Sequence, residues 1–375
     1  MKTEQLQWTV NEDWDISNIQ LKNAQLVLVF AGIDVIENCK YFESLSVAYP
    51  QANIVLVSTS GEIHGNEMFE NSASATAIHF ENTPLRISTK ENTAGKDAEL
   101  IGMEITKDLL QDDLKHILLF SEGGHMNGDH LIAGISKHLP KNIAVTGGLA
   151  GDSARFAKTM MGLNNTVSEN LVVAIGLYGN AIEVGYGSND GWDLFGPLRL
   201  VTKAEENVLY DLDDTNALEL YKKYLGDRAN ELPGAALLFP ICILKPDGTK
   251  LVRTILSINE ENQSMVFAGN VPVGSKVQFM MANFDRVIDS ASNAAFKSRI
   301  HENENPDLTI MVSCVGRKLV MQNRTEEEIE AVTDAYNDES TFCGFYSNGE
   351  ICPSTDGVNS LHNQTMTITT LKERV

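Results

Sequence analysis

One pattern constrains this 375-residue chain more than any other feature, and it occurs three times. It runs apolar strand, amphipathic helix, short apolar strand, glycine turn, further strand. The first copy begins with Leu26 to Phe30, has helical spacing from Val35 to Tyr49, and continues through Ile54 to Val57 into Ser60-Gly61-Glu62-Ile63 and the strand Ala73 to Phe80. The second begins with His116 to Phe120 and predicts a helix from about Gly128 to Leu139, ended by Pro140. Ile143 to Val145 then enters Gly147-Gly148-Leu149-Ala150-Gly151-Asp152, and the strand Leu171 to Tyr178 follows. The third begins with Leu308 to Cys314 and predicts an acidic helix over Thr325 to Tyr336, with Thr325 and Glu328 at capping-box spacing. Gly344-Phe345-Tyr346 leads to Asn348-Gly349-Glu350-Ile351, and His362 to Leu371 is the last strand.

Gly-Glu-Ile recurs at the same place in the first and third copies, which argues for duplication. Parallel strands joined by crossover helices require a right-handed connection, and the long alternating strands add antiparallel pairing. The expected fold is therefore α/β, with mixed sheets built from repeated strand-helix-strand-Gly turn-strand units and two halves packed together. The Gly61, Gly147 and Gly349 turns are expected at equivalent positions. Between the second and third copies, Gly191 to Pro197 is rich in glycine and aromatics, and Asn216 to Leu225 reads as a helix capped by Gly226. Residues 227–290 read as strand-rich, with Asp247-Gly248 as a hairpin turn. The expected divisions are an N-terminal extension over 1–24 and domains over 25–215 and 216–375.

Charge narrows the partners. The formal net charge is −22, which disfavours phosphate backbones and anionic headgroups, so neither nucleic acid nor a membrane is expected as a partner. The polar, acidic start has no signal-peptide pattern, no apolar run is long enough to span a bilayer, and a cytoplasmic location is expected. The five scattered cysteines read as reduced thiols, and the eight histidines show no metal-site spacing.

These same residues carry a resemblance. Ser58 to Ile63, Gly147 to Asp152, Gly191-Trp192 with Phe195-Gly196-Pro197, Asn207 to Asp213, Gly344 to Tyr346 with Gly349 to Ile351, and Leu361 to Thr365 together resemble FIST proteins, in the family's order. The resemblance implies a bacterial small-molecule sensor with N-terminal and C-terminal halves. Its size is similar to stand-alone, NosP-type nitric-oxide-sensing haem proteins, which implies haem as cofactor. It also implies a separate histidine kinase or cyclic-di-GMP enzyme as partner. Serine at position 58, where cysteine is commoner in the family, excludes a thiolate ligand from that turn.

The candidate ligand-binding residues are Gly61, Glu62, Gly147, Gly148, Gly151, Asp152, Tyr346, Gly349, Glu350 and His362. Glycine turns after strands expose N–H groups to an anion, and they equally serve backbone conformations that need glycine. Glu62 and Glu350 could bind an ammonium group, or could accept hydrogen bonds within their own turns. His362 is the candidate haem iron ligand, in a pocket between the halves lined by Tyr346 and the Gly147 turn, with His125 and His64 as alternates. His79, His116, His130, His138 and His301 read as surface positions. A cofactor-free receptor for an amino acid or other small metabolite is the alternative. A hydrolase using Cys343 or Ser60 is the third reading. Neither residue sits in a nucleophile elbow, so no catalytic turnover is expected.

Overall fold

The computed structural model describes residues 1–374 apart from 93–96, 233, 246, 247, 303 and 338. The Asp247 half of the expected hairpin turn lies outside the described residues.

Three sheets share one plan. In the first, the order is Lys2–Trp8, Ala73–His79, Leu26–Gly32, Asn53–Thr59, with only the last pair parallel. The second runs Leu85–Glu91, Leu171–Tyr178, Leu114–Ser121, Ala144–Leu149, again with only the last pair parallel. The third runs Ile182–Asn189, Met366–Glu373, Leu308–Cys314, Thr341–Ser347, in the same sense. Leu26–Gly32 and Leu308–Cys314 are buried at every position, as their unbroken apolar runs require.

Each sheet is completed by a hairpin from another unit. Met161–Leu163 and Thr166–Ser168 of the second unit extend the first sheet through Asn53–Thr59. Gly349–Pro353 and Asn359–His362 of the third unit extend the second sheet through Ala144–Leu149. Glu62–His64 and Glu67–Phe69 of the first unit extend the third sheet through Thr341–Ser347. The exchange closes a ring, so the halves interlock. The third unit also draws its edge strand, Ile182–Asn189, from the first half of the chain.

The three sheets meet on aromatic rings, one from each. Phe30 stacks on Phe345 at 4.9 Å between centroids, and Phe120 lies 6.2 Å from both. Burying each ring contributes about 1.5–3 kcal/mol. The third unit also holds a fully buried ion pair. Arg317 Nη2 donates to Glu328 at 2.7 Å, and the Ser313 and Tyr346 hydroxyls donate to the same carboxylate.

An eight-stranded antiparallel sheet, with strands from Asp193–Glu205 to Lys276–Met281, is inserted in the third unit. It has its own core, in which Phe279 packs against Tyr221 and Tyr224 under the helix Ala217–Leu225. Asn216 caps that helix by accepting from the Glu219 N–H, and Gly226 ends it with φ +59°.

Three local expectations need correction. The first helix covers only Tyr41–Ala48, because residues 36–40 form a turn that ends at Lys40 with φ +41° and lead in from a 3₁₀ turn at Ile33–Val35. The capping box at Thr325 does not form, because Glu328 turns inward to Arg317 and the Thr325 hydroxyl donates to the Gln322 carbonyl. His116 is buried rather than on the surface, and its Nε2 lies 2.8 Å from the Thr146 hydroxyl.

Candidate functional site

The Gly61 and Gly349 turns occupy equivalent places and share two hydrogen bonds. Thr59 donates its hydroxyl to Glu62, and Ser347 donates to Glu350 at 2.8 Å. The Ser72 and Thr365 N–H groups each donate to the same carboxylate at 3.2 Å. Both carboxylates thus accept from their own turns. Burial pushes Glu62 up to about 7 and Glu350 up to about 8, against the pull of those hydrogen bonds.

Gly147 breaks the expected equivalence. It sits inside the strand Ala144–Leu149 and pairs with Ile351. Its φ is +141°, and a Cβ there would lie 2.0 Å from the Leu119 carbonyl oxygen, so glycine is required by close strand approach rather than by a turn. The second unit's turn is Gly151-Asp152. The Asp152 carboxylate accepts from the N–H groups of Phe156, Ala157 and Lys158 at 2.7–3.0 Å.

The expected residues therefore do not share one pocket. Gly61, Glu62, Gly151 and Tyr346 gather at the first turn, where Gly61 and Glu62 line a cleft of about 240 Å³. Lys318 reaches over this cleft, but its Nζ donates to the Ser60 carbonyl at 2.6 Å and pairs with Glu70. The Ser60 hydroxyl is the acceptor of the Ala154 N–H at 3.3 Å. Gly148, Gly349 and Glu350 gather separately, at the pairing of the third hairpin with the second sheet. Asp152 lines another cleft, of about 370 Å³, with Asp34 and Arg155.

His362 stands apart from Tyr346 and Gly147. Its cleft is about 260 Å³ and is lined by Asp190, Lys250, Lys297 and Ser354 among others. That volume lies below the roughly 300–1,000 Å³ of pockets for drug-sized ligands, and a haem macrocycle does not fit it. His362 Nε2 is also committed, donating to the Cys352 carbonyl at 3.0 Å. Tyr346 is buried elsewhere, with its hydroxyl on Glu328 at 2.7 Å. Among the described residues, no group of three or more His, Cys, Asp or Glu is arranged to hold a metal ion. Cys343, the candidate nucleophile, is buried, and burial pushes its thiol up to about 12.

A large cavity was not anticipated. It holds about 940 Å³ between the helix Gly128–Ser136 and the inserted sheet. Ile132, Ala133, Leu251, Pro272, Val273 and Leu361 give it apolar walls. Arg253 spans the two sides. Its guanidinium is buried, donates to both Asp129 carboxylate oxygens at 3.0 Å, and reaches the Asn270 and Leu361 carbonyls at 3.1 and 3.0 Å. Asp129 also accepts the Asn270 N–H at 2.7 Å. The Ser136 hydroxyl, in the cavity wall, has no hydrogen-bond partner among the described residues. Arg253 and Asp129 are 124 residues apart, and neither belongs to a local motif, so no sequence signal could have paired them.

Among the described residues, no helix is long and apolar enough to cross a membrane. No curated protein matches the chain. Two solved structures of cyanuric acid hydrolase are similar in outline. The one from A. caulinodans has 6% identity and a TM-score of 0.36, covering 100% of this chain and 99% of that one. The other, described as an evolutionary innovation by structural concatenation, has 8% identity and a TM-score of 0.30, covering 100% and 99%. Likeness this weak says nothing about activity. The sequence itself matches the FIST N domain over residues 25–215 and the FIST C domain over residues 217–353, so the chain belongs to the FIST family of small-ligand sensory domains.

Proposed function

We propose that this protein is a cofactor-free sensor that binds a small, largely apolar metabolite with a polar end. The binding site in this reading is the cavity between the helix Gly128–Ser136 and the inserted sheet. The observation that carries it is a cavity of about 940 Å³ with apolar walls from both halves and a buried Arg253–Asp129 pair across it. A large apolar cavity with a few polar groups is the usual form of a small-molecule site. The unpaired Ser136 hydroxyl offers one polar contact for the ligand.

An occupant touches both walls, so it stabilises one packing of the inserted sheet over others. A separate protein, such as a histidine kinase or a cyclic-di-GMP enzyme, reads that packing. The protein acts by binding rather than by turnover. Lys318 is engaged by a carbonyl and a carboxylate instead of activating Ser60, and the Cys343 thiol is buried and pushed upward. The haem-bound, nitric-oxide form of the sensor reading finds no support at His362, whose cleft is too small.

The test is a thermal-shift screen of metabolites on the wild type and on Ala133→Trp. Ala133 is exposed on the cavity wall, so the indole fills the space without entering the core. A true ligand at a hundredfold excess over Kd stabilises the wild type by about 2.7 kcal/mol and leaves Ala133→Trp unshifted. Ligands that stabilise both proteins equally would place the site elsewhere.

A further inference from the structure

The strand Lys250–Arg253 separates two cavities. Leu251 and Arg253 line the large one, while Lys250 and Val252 line the smaller cleft of about 260 Å³ that also holds His362. This is the two-residue alternation of a strand with a cavity on each face. The strand Asn359–His362 also borders both, with Asn359, Ser360 and Leu361 on the large cavity and His362 on the small cleft.

The smaller cleft is polar. Ser354 lines it and is 6% exposed, and its Oγ has no hydrogen-bond partner among the described residues. A buried hydroxyl left unpaired costs free energy that a ligand atom can recover. Two cations border the same space. Lys297 Nζ donates to the Ser188 carbonyl at 3.0 Å and keeps further N–H groups, and Lys250 is exposed beside it. Asp190 is the opposing charge in the lining, and its carboxylate already accepts the Trp192 N–H at 3.0 Å. His362 is neutral here. Burial lowers it to about 4, and the charges of Arg253 and Lys245 push in the same direction, against the Cys352 carbonyl and Asp129. In a chain of net charge −22, this is a locally cationic pocket.

We propose that this cleft is a second binding site, which takes a small oxyanion, a carboxylate or phosphate group, on the Ser354 hydroxyl and the Lys250 and Lys297 ammonium groups. The volume admits only a few heavy atoms. One strand forms a wall of both cavities, so any coupling between the two sites would be reciprocal.

Calorimetric titration of the full chain with sodium phosphate and, separately, sodium malonate in chloride buffer tests the site. Saturable one-to-one binding is expected with at least one of them, and the ion that binds identifies the source of the anionic group. Ser354→Ala and Lys297→Gln each weaken it at least tenfold. Lys250→Gln, at an exposed position, replaces Lys297→Gln if loss of the Ser188 contact lowers Tm. Binding that survives these substitutions, or no saturable heat with either ion, overturns the proposal. The readout needs no occupant in the larger cavity, so this inference and the proposed function fail separately.

Discussion

The interlocked core and the inserted sheet bury their strands in different ways. In the core, Leu26–Gly32, Leu171–Tyr178 and Leu308–Cys314 are buried along their whole length, and three phenylalanines close the centre. In the inserted sheet, Asp193–Glu205 is buried at Val201 alone, with every other position half-buried or exposed. A strand covered on both faces has no room to adjust. A strand covered on one face can border a cavity, and Lys250–Arg253 borders two. On the proposed function, stability resides in the core and ligand response in the inserted sheet.

The largest effect is expected at the core. Phe345→Ala removes the ring that stacks on Phe30 and should cost about 3–5 kcal/mol. Equilibrium denaturation in urea measures it, and a loss below 1 kcal/mol, roughly a surface effect, would erase the distinction between the two regions. Arg253→Met comes next. It strands the Asp129 carboxylate, which is 20% exposed, and should cost about 3 kcal/mol, at the low end for breaking a buried pair. It should also loosen the inserted sheet in hydrogen exchange while the Phe30 and Phe120 strands keep their protection. Uniform loss of protection would mean that the two regions do not respond separately.

The core was the legible part. Leu26 to Phe30, His116 to Phe120 and Leu308 to Cys314 are apolar runs, and burial on both faces is the only way to hide them. The hairpin exchange was not legible. Gly344 pairs with Ile63, 281 positions away in the numbering, and no local pattern encodes that partner. Gly147-Gly148 reads as a turn in sequence, but glycine there is required because a neighbouring carbonyl passes too close for a side chain. The repeated Gly-Glu-Ile did identify equivalent turns. Its carboxylates serve those turns through Thr59, Ser72, Ser347 and Thr365. The large cavity escaped because it forms between a helix and a sheet far apart in the chain, from residues that are ordinary in their own segments.

The smallest effect is electrostatic. Glu62 and Glu350 are raised above their ordinary 4.5, to about 7 and about 8. The folded state therefore holds protons that the unfolded state has lost, and stability falls as pH rises through this range. His116 and His362 are lowered to about 3 and about 4, so their contribution runs the other way and is complete once pH passes their unfolded value of 6.5. Between about pH 6.5 and 8 the glutamates alone should set the slope, at most about 1.4 kcal/mol per pH unit for each carboxyl. Glu350→Gln should flatten denaturation midpoints over that window. An unchanged slope would remove Glu350 from the account.

The most direct measurement is a crystal structure of the full chain with the first metabolite that raises its Tm. The account predicts ligand density between the helix Gly128–Ser136 and the strand Lys250–Arg253, within reach of the Ser136 hydroxyl. Density at the Ser60–Glu62 turn instead, with the large cavity holding only water, would contradict it.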